Sequence, residues 1–201
     1  WVGGIFTGAV EYKQNPPNSS GTKWQVSRRL GQSDLGLPIV LDSYQDSSGG
    51  IWFGVWNGGV GYYQNGALKK KIEISDGLPD LRVWSLAENN DGYMWFGTEG
   101  GAVLYDANRV KKTIQIKDGL PSNWVNSIYC EQAPSNAVWF ATGHFFNGSN
   151  SGLARYDGSK MEIFTPSNTV GGLTSSAVRS IYQDKNGLIW FGTIGGGASV
   201  Y

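Results

Sequence analysis

The sequence predicts an all-β chain: β-propeller blades of four antiparallel strands, about four and a half of them, forming an arc of a larger propeller. Three observations carry this expectation. A Trp-Phe-Gly marker recurs as Trp52-Phe53-Gly54, Trp95-Phe96-Gly97 and Trp190-Phe191-Gly192, with Trp139-Phe140-Ala141 as a variant and Trp1-Val2-Gly3 as a frayed copy. Successive markers lie 51, 43, 44 and 51 residues apart, near the period of about 40–50 residues of propeller blades. A Gly-Leu-Pro element precedes the marker by 16 to 20 residues: Gly36-Leu37-Pro38, Gly77-Leu78-Pro79, Gly119-Leu120-Pro121, and Gly172-Leu173-Thr174 as the variant. The composition agrees, with 30 glycines and 13% aromatic residues, since glycine serves tight turns and flat rings fill the space between sheets.

Each unit reads as four short strands. In the unit after Gly77, residues 81–88 alternate with strand period. Asn89-Asn90-Asp91-Gly92 suits a hairpin, because Asn, Asp and Gly tolerate positive φ. Residues 93–98 form the second strand, 102–106 the third and 110–117 the fourth, and Asp118-Gly119-Leu120-Pro121 crosses to the next unit. Proline lacks the N–H a ladder needs, so it fits a connection. The units divide the chain into an incomplete first blade at 1–35, blades at 36–76, 77–118 and 119–171, and an incomplete last blade at 172–201. The first strand of each unit is expected innermost, and the marker tryptophan is expected to wedge between neighbouring blades. Ser43 stands where the sister units place an apolar core residue.

The arc begins on a second strand and ends on a third. Its end faces would be apolar and open, so further blades or a second chain are expected to close the ring. The opening Trp1-Val2-Gly3-Gly4 is read as the interior of a longer protein.

Several function classes find no support. Lys+Arg 16 against Asp+Glu 16 leaves no net charge, and no basic stripe points to nucleic acid. Lys69-Lys70-Lys71 is read as a solvated outer strand edge. No apolar run reaches the roughly 20 residues that span a bilayer, so no membrane contact is expected from this segment. Cys130 is the single cysteine, in an apolar stretch that suggests packing. His144 is the single histidine, which rules out a multi-histidine metal site, and neither metal nor cofactor is expected.

These residues resemble the two-component regulator propeller repeats, the sensor region of hybrid sensor histidine kinases. Gly119-Leu120-Pro121-Ser122-Asn123-Trp124-Val125-Asn126-Ser127-Ile128 is similar to the front of that repeat. Asp184-Lys185-Asn186-Gly187-Leu188-Ile189-Trp190-Phe191-Gly192-Thr193 is similar to its back. The resemblance implies a non-catalytic, ligand-sensing, periplasmic propeller of a signalling receptor. The departures are the degenerate first copy with its insertion at 15–21, and the third copy with Ala141 and the insertion at 143–151. In a bacterial periplasmic protein the glycosylation patterns at Asn18-Ser19-Ser20 and Asn147-Gly148-Ser149 would be incidental.

Ligands enter closed β structures through loops at one mouth. The crossing loops and the turns from second to third strand should share one face. The candidates there are Trp56, Asn57, Arg82, Glu99, Asn123, Trp124, His144 and Phe145, with Phe146 beside them. Trp56, Trp124 and Phe145 lie outside the repeat marker. Aromatic rings beside amides and guanidinium groups suit a carbohydrate ligand; ordinary loop packing is the alternative. The carboxylates Asp46, Asp76, Asp118, Glu131 and Asp184 recur with the repeat, as turn caps do. Two other functions remain open at this point. One is a lyase of the streptogramin-lyase type, for which His144 is the only histidine on offer. The other is a homotypic interaction module built on the end blades.

Overall fold

The computed structural model describes residues 2–4, 8–15, 24–31, 39–144 and 151–201, with only the backbone of 2–4. The expected marker tryptophan Trp1, the Gly36-Leu37-Pro38 element, both glycosylation patterns, Phe145 and Phe146 lie outside the described residues.

Among the described residues, five antiparallel sheets follow one another along the chain. The first holds β1 (Val2–Gly4), β2 (Gly8–Gln14) and β3 (Trp24–Leu30). The second holds β4 (Val40–Gln45), β5 (Ile51–Val55), β6 (Gly59–Gln64) and β7 (Ala67–Ile72). The third holds β8 (Val83–Glu88), β9 (Met94–Thr98), β10 (Gly101–Tyr105) and β11 (Val110–Ile114). The fourth holds β12 (Val125–Cys130), β13 (Val138–Thr142), β14 (Gly152–Tyr156) and β15 (Met161–Phe164). The fifth holds β16 (Val178–Gln183), β17 (Ile189–Thr193) and β18 (Gly197–Val200). This is the blade succession the repeat predicts.

Two boundaries of the unit after Gly77 differ from expectation by two residues or more. The fourth strand of the third blade stops at Ile114, short of residue 117, and a 3-10 turn spans Ile116–Asp118. The Asp118 carboxylate takes the Gln115 N–H (3.0 Å), Gly119 closes the turn at φ 105°, and an identical box holds Ile74–Asp76 with Gly77 at φ 99°. Capping outcompetes strand pairing here, and only glycine adopts that φ without strain. The first strand of the same blade begins at Val83 instead of Leu81, because Asp80 accepts the Arg82 N–H (2.8 Å) and bends the entry. Behind the three described crossings the leucine of the element plugs the core: Leu78, Leu120 and Leu173 are all buried.

The blades interlock through three repeated devices. The first is on the innermost strands, where a polar side chain of one blade accepts a backbone N–H of the next. Asp42 takes Leu86 (2.7 Å), Ser85 takes Ile128 (2.9 Å) and Ser127 takes Ile181 (3.2 Å). The glycine of the marker permits this approach. A Cβ at Gly54 would lie 2.8 Å from the Val83 carbonyl oxygen, and one at Gly97 would lie 2.9 Å from that of Val125.

The second device is the tryptophan wedge. Trp52 packs on Phe96 and Tyr105, Trp95 on Phe140, and Trp139 on Phe191 and Tyr201. Those three indoles are 3–4% exposed or less, whereas Trp190, with no blade beyond it, is 41% exposed. A turn carboxylate fixes the indole N–H: Asp46 for Trp52 (2.8 Å), Glu131 for Trp139 (2.6 Å) and Asp184 for Trp190 (3.0 Å). The third blade has Asn89 at this position, and Trp95 Nε1 is buried without a partner. A buried donor left unmade costs about 1–3 kcal/mol. Asn89→Asp is therefore expected to raise the unfolding free energy by about 1 kcal/mol. Urea denaturation would show it, and an unchanged or lower midpoint would refute the assignment.

The third device was not foreseen. A cation on the outer strand of one blade reaches the third-strand tyrosine of the next: Arg28 to Tyr63, Lys70 to Tyr105 (2.9 Å) and Lys112 to Tyr156. The same cations lie 5.5, 5.4 and 4.4 Å from the ring centroids. Lys70 is thus a lateral staple instead of a solvated edge, while Lys71 pairs with Glu73 (2.6 Å). At the corresponding place in the fourth blade stands Glu162, opposite Arg155 in the strand register.

Cys130 is buried, and burial pushes its thiol up to about 12, which suits packing and not reactivity.

Candidate aromatic mouth of the channel

The channel mouth is built from neighbouring positions at the ends of strands on successive blades. Trp56 leaves β5 with its N–H held by the Ile39 carbonyl (3.0 Å). Trp84 is the second residue of β8. Trp124 enters β12, its N–H held by Ser122 Oγ (3.1 Å), and its own carbonyl takes the Gly143 N–H (2.9 Å). His144 follows β13. These four rings form one continuous run across three blades. Trp56 meets Trp84 edge-on at 5.4 Å between centroids, Trp84 meets Trp124 at 5.7 Å, and Trp124 meets His144 at 4.5 Å. All four are half-buried. Contacts of this geometry each add about 0.5–1.5 kcal/mol beyond area burial, so the run is preformed.

An ion cluster adjoins it. Arg82 donates from Nε and Nη2 to Asp80 (3.0 and 2.8 Å) and from Nη1 to Glu99 (2.6 Å). Trp84 Nε1 donates to Glu99 (3.3 Å). Burial pushes the Glu99 carboxyl above the usual carboxylate range against the pull of Arg82. Burial also pushes Asp80 up, but the bonds from Arg82 outweigh it and hold Asp80 below that range. The cluster fixes the Trp84 indole through Glu99 and presents a bidentate guanidinium beside the rings.

The structure therefore gathers Trp56, Arg82, Glu99, Trp124 and His144. Asn57 is an exposed turn residue at φ 54°. Asn123 is committed to the 3-10 turn, accepting the Ile116 N–H at 2.8 Å. Phe145 lies outside the described residues. Trp84, Asn126 and Arg179 were not foreseen. They occupy the second position of the first strand, after the invariant valines Val83, Val125 and Val178. A column that varies among Leu41, Trp84, Asn126 and Arg179, beside one fixed as valine, was the available signal. Among the described residues no three His, Cys, Asp or Glu side chains form a metal-binding group, and no helix is long and apolar enough to cross a membrane.

Fold and mouth together define an arc of propeller blades with an aromatic run at its loops. Two of its repeats, residues 77–100 and 172–195, match the model of the two component regulator propeller family. No curated protein matches the chain. Among solved structures, the chain is similar to the extracellular domain assigned to a hybrid two component system, BT4673, from B. thetaiotaomicron. The identity is 22%, the TM-score 0.63, and the match covers 89% of this chain and 23% of that one. The corresponding domain of BT3049 from the same organism matches at 22% identity and TM-score 0.55, over 84% of this chain and 28% of that one. A catalytically inactive histidine-to-alanine variant of virginiamycin B lyase from Staphylococcus aureus, with quinupristin, matches at 17% identity and TM-score 0.56. That match covers 92% of this chain and 60% of the lyase. At these identities the likeness is one of fold. The chain spans about a quarter of the length of the two-component domains.

Proposed function

We propose that this chain is part of an extracytoplasmic, non-catalytic sensing propeller of a two-component receptor, and that it takes an oligosaccharide-like ligand at the aromatic mouth. The observation that carries the reading is the run Trp56–Trp84–Trp124–His144 beside the Arg82–Glu99 pair. Flat half-buried rings offer stacking surface to the apolar faces of sugars, and the flanking polar groups offer hydroxyl partners. The location is supported by the extracellular origin of the two-component structures. Further blades or a second chain would complete the ring, a reading supported by Trp190, which is 41% exposed where the equivalent indoles are buried.

Calorimetry of the protein against a glycan panel tests this. At least one glycan should bind, and Trp124→Ala should weaken it about tenfold or more, the scale of one lost stacking partner. Silence across neutral and acidic glycans alike would overturn the reading.

The lyase reading has one supporting observation, His144 within the mouth and close enough to Glu99 to draw its carboxyl down. Against it, Glu99 is already held by Arg82 and Trp84, so that carboxylate is committed elsewhere. Should the protein turn over quinupristin, His144→Ala must abolish that turnover; activity surviving the substitution would exclude a histidine mechanism.

A further inference from the structure

The connection from β13 to β14 spans residues 143–151, whereas its sisters span only 56–58, 99–100 and 194–196. A short turn is held by the ladder on both sides. A longer connection leaves the ladder, and its first carbonyls need other donors. The last contact of the ladder type is the Gly143 N–H on the Trp124 carbonyl (2.9 Å). Beyond it, side chains of the innermost strands take over. Asn126 Nδ2, on β12, and Arg179 Nη1, on β16, both donate to the Gly143 carbonyl (2.8 and 3.3 Å). Arg179 Nη2 donates to the His144 carbonyl (2.6 Å). One guanidinium of the fifth blade thus holds two successive carbonyls of the fourth.

That grip is stiff. A guanidinium keeps its donors in one plane, so two carbonyls on one fork are fixed in direction as well as in distance. Burial draws the Arg179 pKa down from its ordinary value, and the two carbonyl dipoles replace part of the hydration the charge has lost. Gly143 completes the bend at φ 128°, where a Cβ would lie 2.0 Å from Ser151 Oγ. The residue so presented is His144, whose ring meets Trp124 at 4.5 Å and ends the aromatic run. The second position of the innermost strand is therefore divided in its work. Trp84 supplies a ring, while Asn126 and Arg179 hold the backbone that carries another ring.

We propose that Arg179 is a positioning residue of the mouth: from the fifth blade it fixes the backbone of Gly143 and His144, sets the His144 ring on Trp124, and so completes the ligand face at its fourth-blade end, with Asn126 assisting. The consequence for ligand rests on the sensing reading above: the affinity of the mouth depends on a blade that contributes no ring to it. The positioning itself is measured without ligand.

His144 is the only histidine of the sequence, so its imidazole protons are unambiguous in an NMR spectrum. The protein should show NOEs between that imidazole and one indole, and Trp124→Ala should remove them. Arg179→Ala should lose them too, while Arg179→Lys, which keeps a donor for one carbonyl, should retain them in weakened form. The methyl signal of Met94, buried between the second and third blades, should stay in place and report an intact fold. NOEs of full strength in Arg179→Ala overturn the inference. Should Met94 move in Arg179→Ala, Arg179→Lys and Asn126→Ala decide: weakened NOEs beside a stationary Met94 support the clamp, and unchanged NOEs overturn it. Against the glycan panel, Arg179→Ala and His144→Ala should each weaken binding about three- to tenfold, the scale of one aromatic contact, and the double variant should be no weaker than either. Losses that multiply in the double variant would mean that Arg179 acts on the sugar itself, and would overturn the positioning role. A silent panel overturns the sensing reading alone, since the NOEs judge the clamp without it.

Discussion

Trp139→Ala should destabilise the protein by about 3–5 kcal/mol, the range for emptying a large buried aromatic site. Trp190→Ala should cost less than about 1 kcal/mol, as expected of a largely solvated side chain. The two residues hold the same place in the repeat, so the contrast isolates inter-blade packing from the motif itself. Trp139 has no exposure, lies 5.1–5.2 Å from the rings of Phe164, Phe191 and Tyr201, and donates to Glu131 at 2.6 Å. Removing it opens a void between the fourth and fifth blades. It also strips one donor from a carboxylate that Arg155 holds, with help from Ser135 and Trp139, down at about 2. Because each blade contacts only its neighbours, the damage should remain local. Hydrogen exchange should quicken in β12 to β18 before β4 to β7, and denaturant titration should show a shifted or split transition. Equal costs for the two substitutions would mean that the indoles do not wedge the blades.

The fold was legible because each element of the repeat has a separate physical task. The tryptophan wedges, the glycine of the marker admits the next blade's backbone, the leucine of the crossing plugs the core, and the aspartates cap turns. Recurrence of four tasks in one order leaves little room for another architecture. The lateral staples were not legible, since Lys70 and Tyr105 meet only through the spacing of two sheets, which no local pattern encodes. Lysines on an outer strand read as solvated until that spacing is known. The mouth was half legible for the same reason. Trp56 and Trp124 stood out as aromatics without a marker role, whereas Trp84 was absorbed into the alternation of its strand. Asn123 looked like a ligand group, but its amide oxygen had a nearer obligation to the Ile116 N–H.

Asp42 should make the seam between the second and third blades sensitive to pH. At this place the third and fourth blades use Ser85 and Ser127, hydroxyls that accept the next blade's N–H without carrying charge. Asp42 performs the same task with a carboxylate, taking Leu86 N–H on Oδ2 and Ser43 N–H on Oδ1 (2.8 Å). Burial raises its pKa from 3.8 to about 6, and the two backbone bonds only partly oppose this. Between those values the folded protein keeps a proton that the unfolded chain has released, so stability falls as pH rises through the window. Below about 4 the penalty is absent; above about 6 it is complete, at up to about 3 kcal/mol. Asp42→Ser keeps an acceptor for Leu86 and removes the charge. It should therefore stabilise the protein by as much as about 3 kcal/mol at neutral pH and by far less near pH 4. Urea unfolding of both proteins at the two pH values measures the difference, and the other titrating groups cancel in the comparison. A stabilisation of the same size at both pH values would show that the carboxyl ionises in the fold as easily as it does in water.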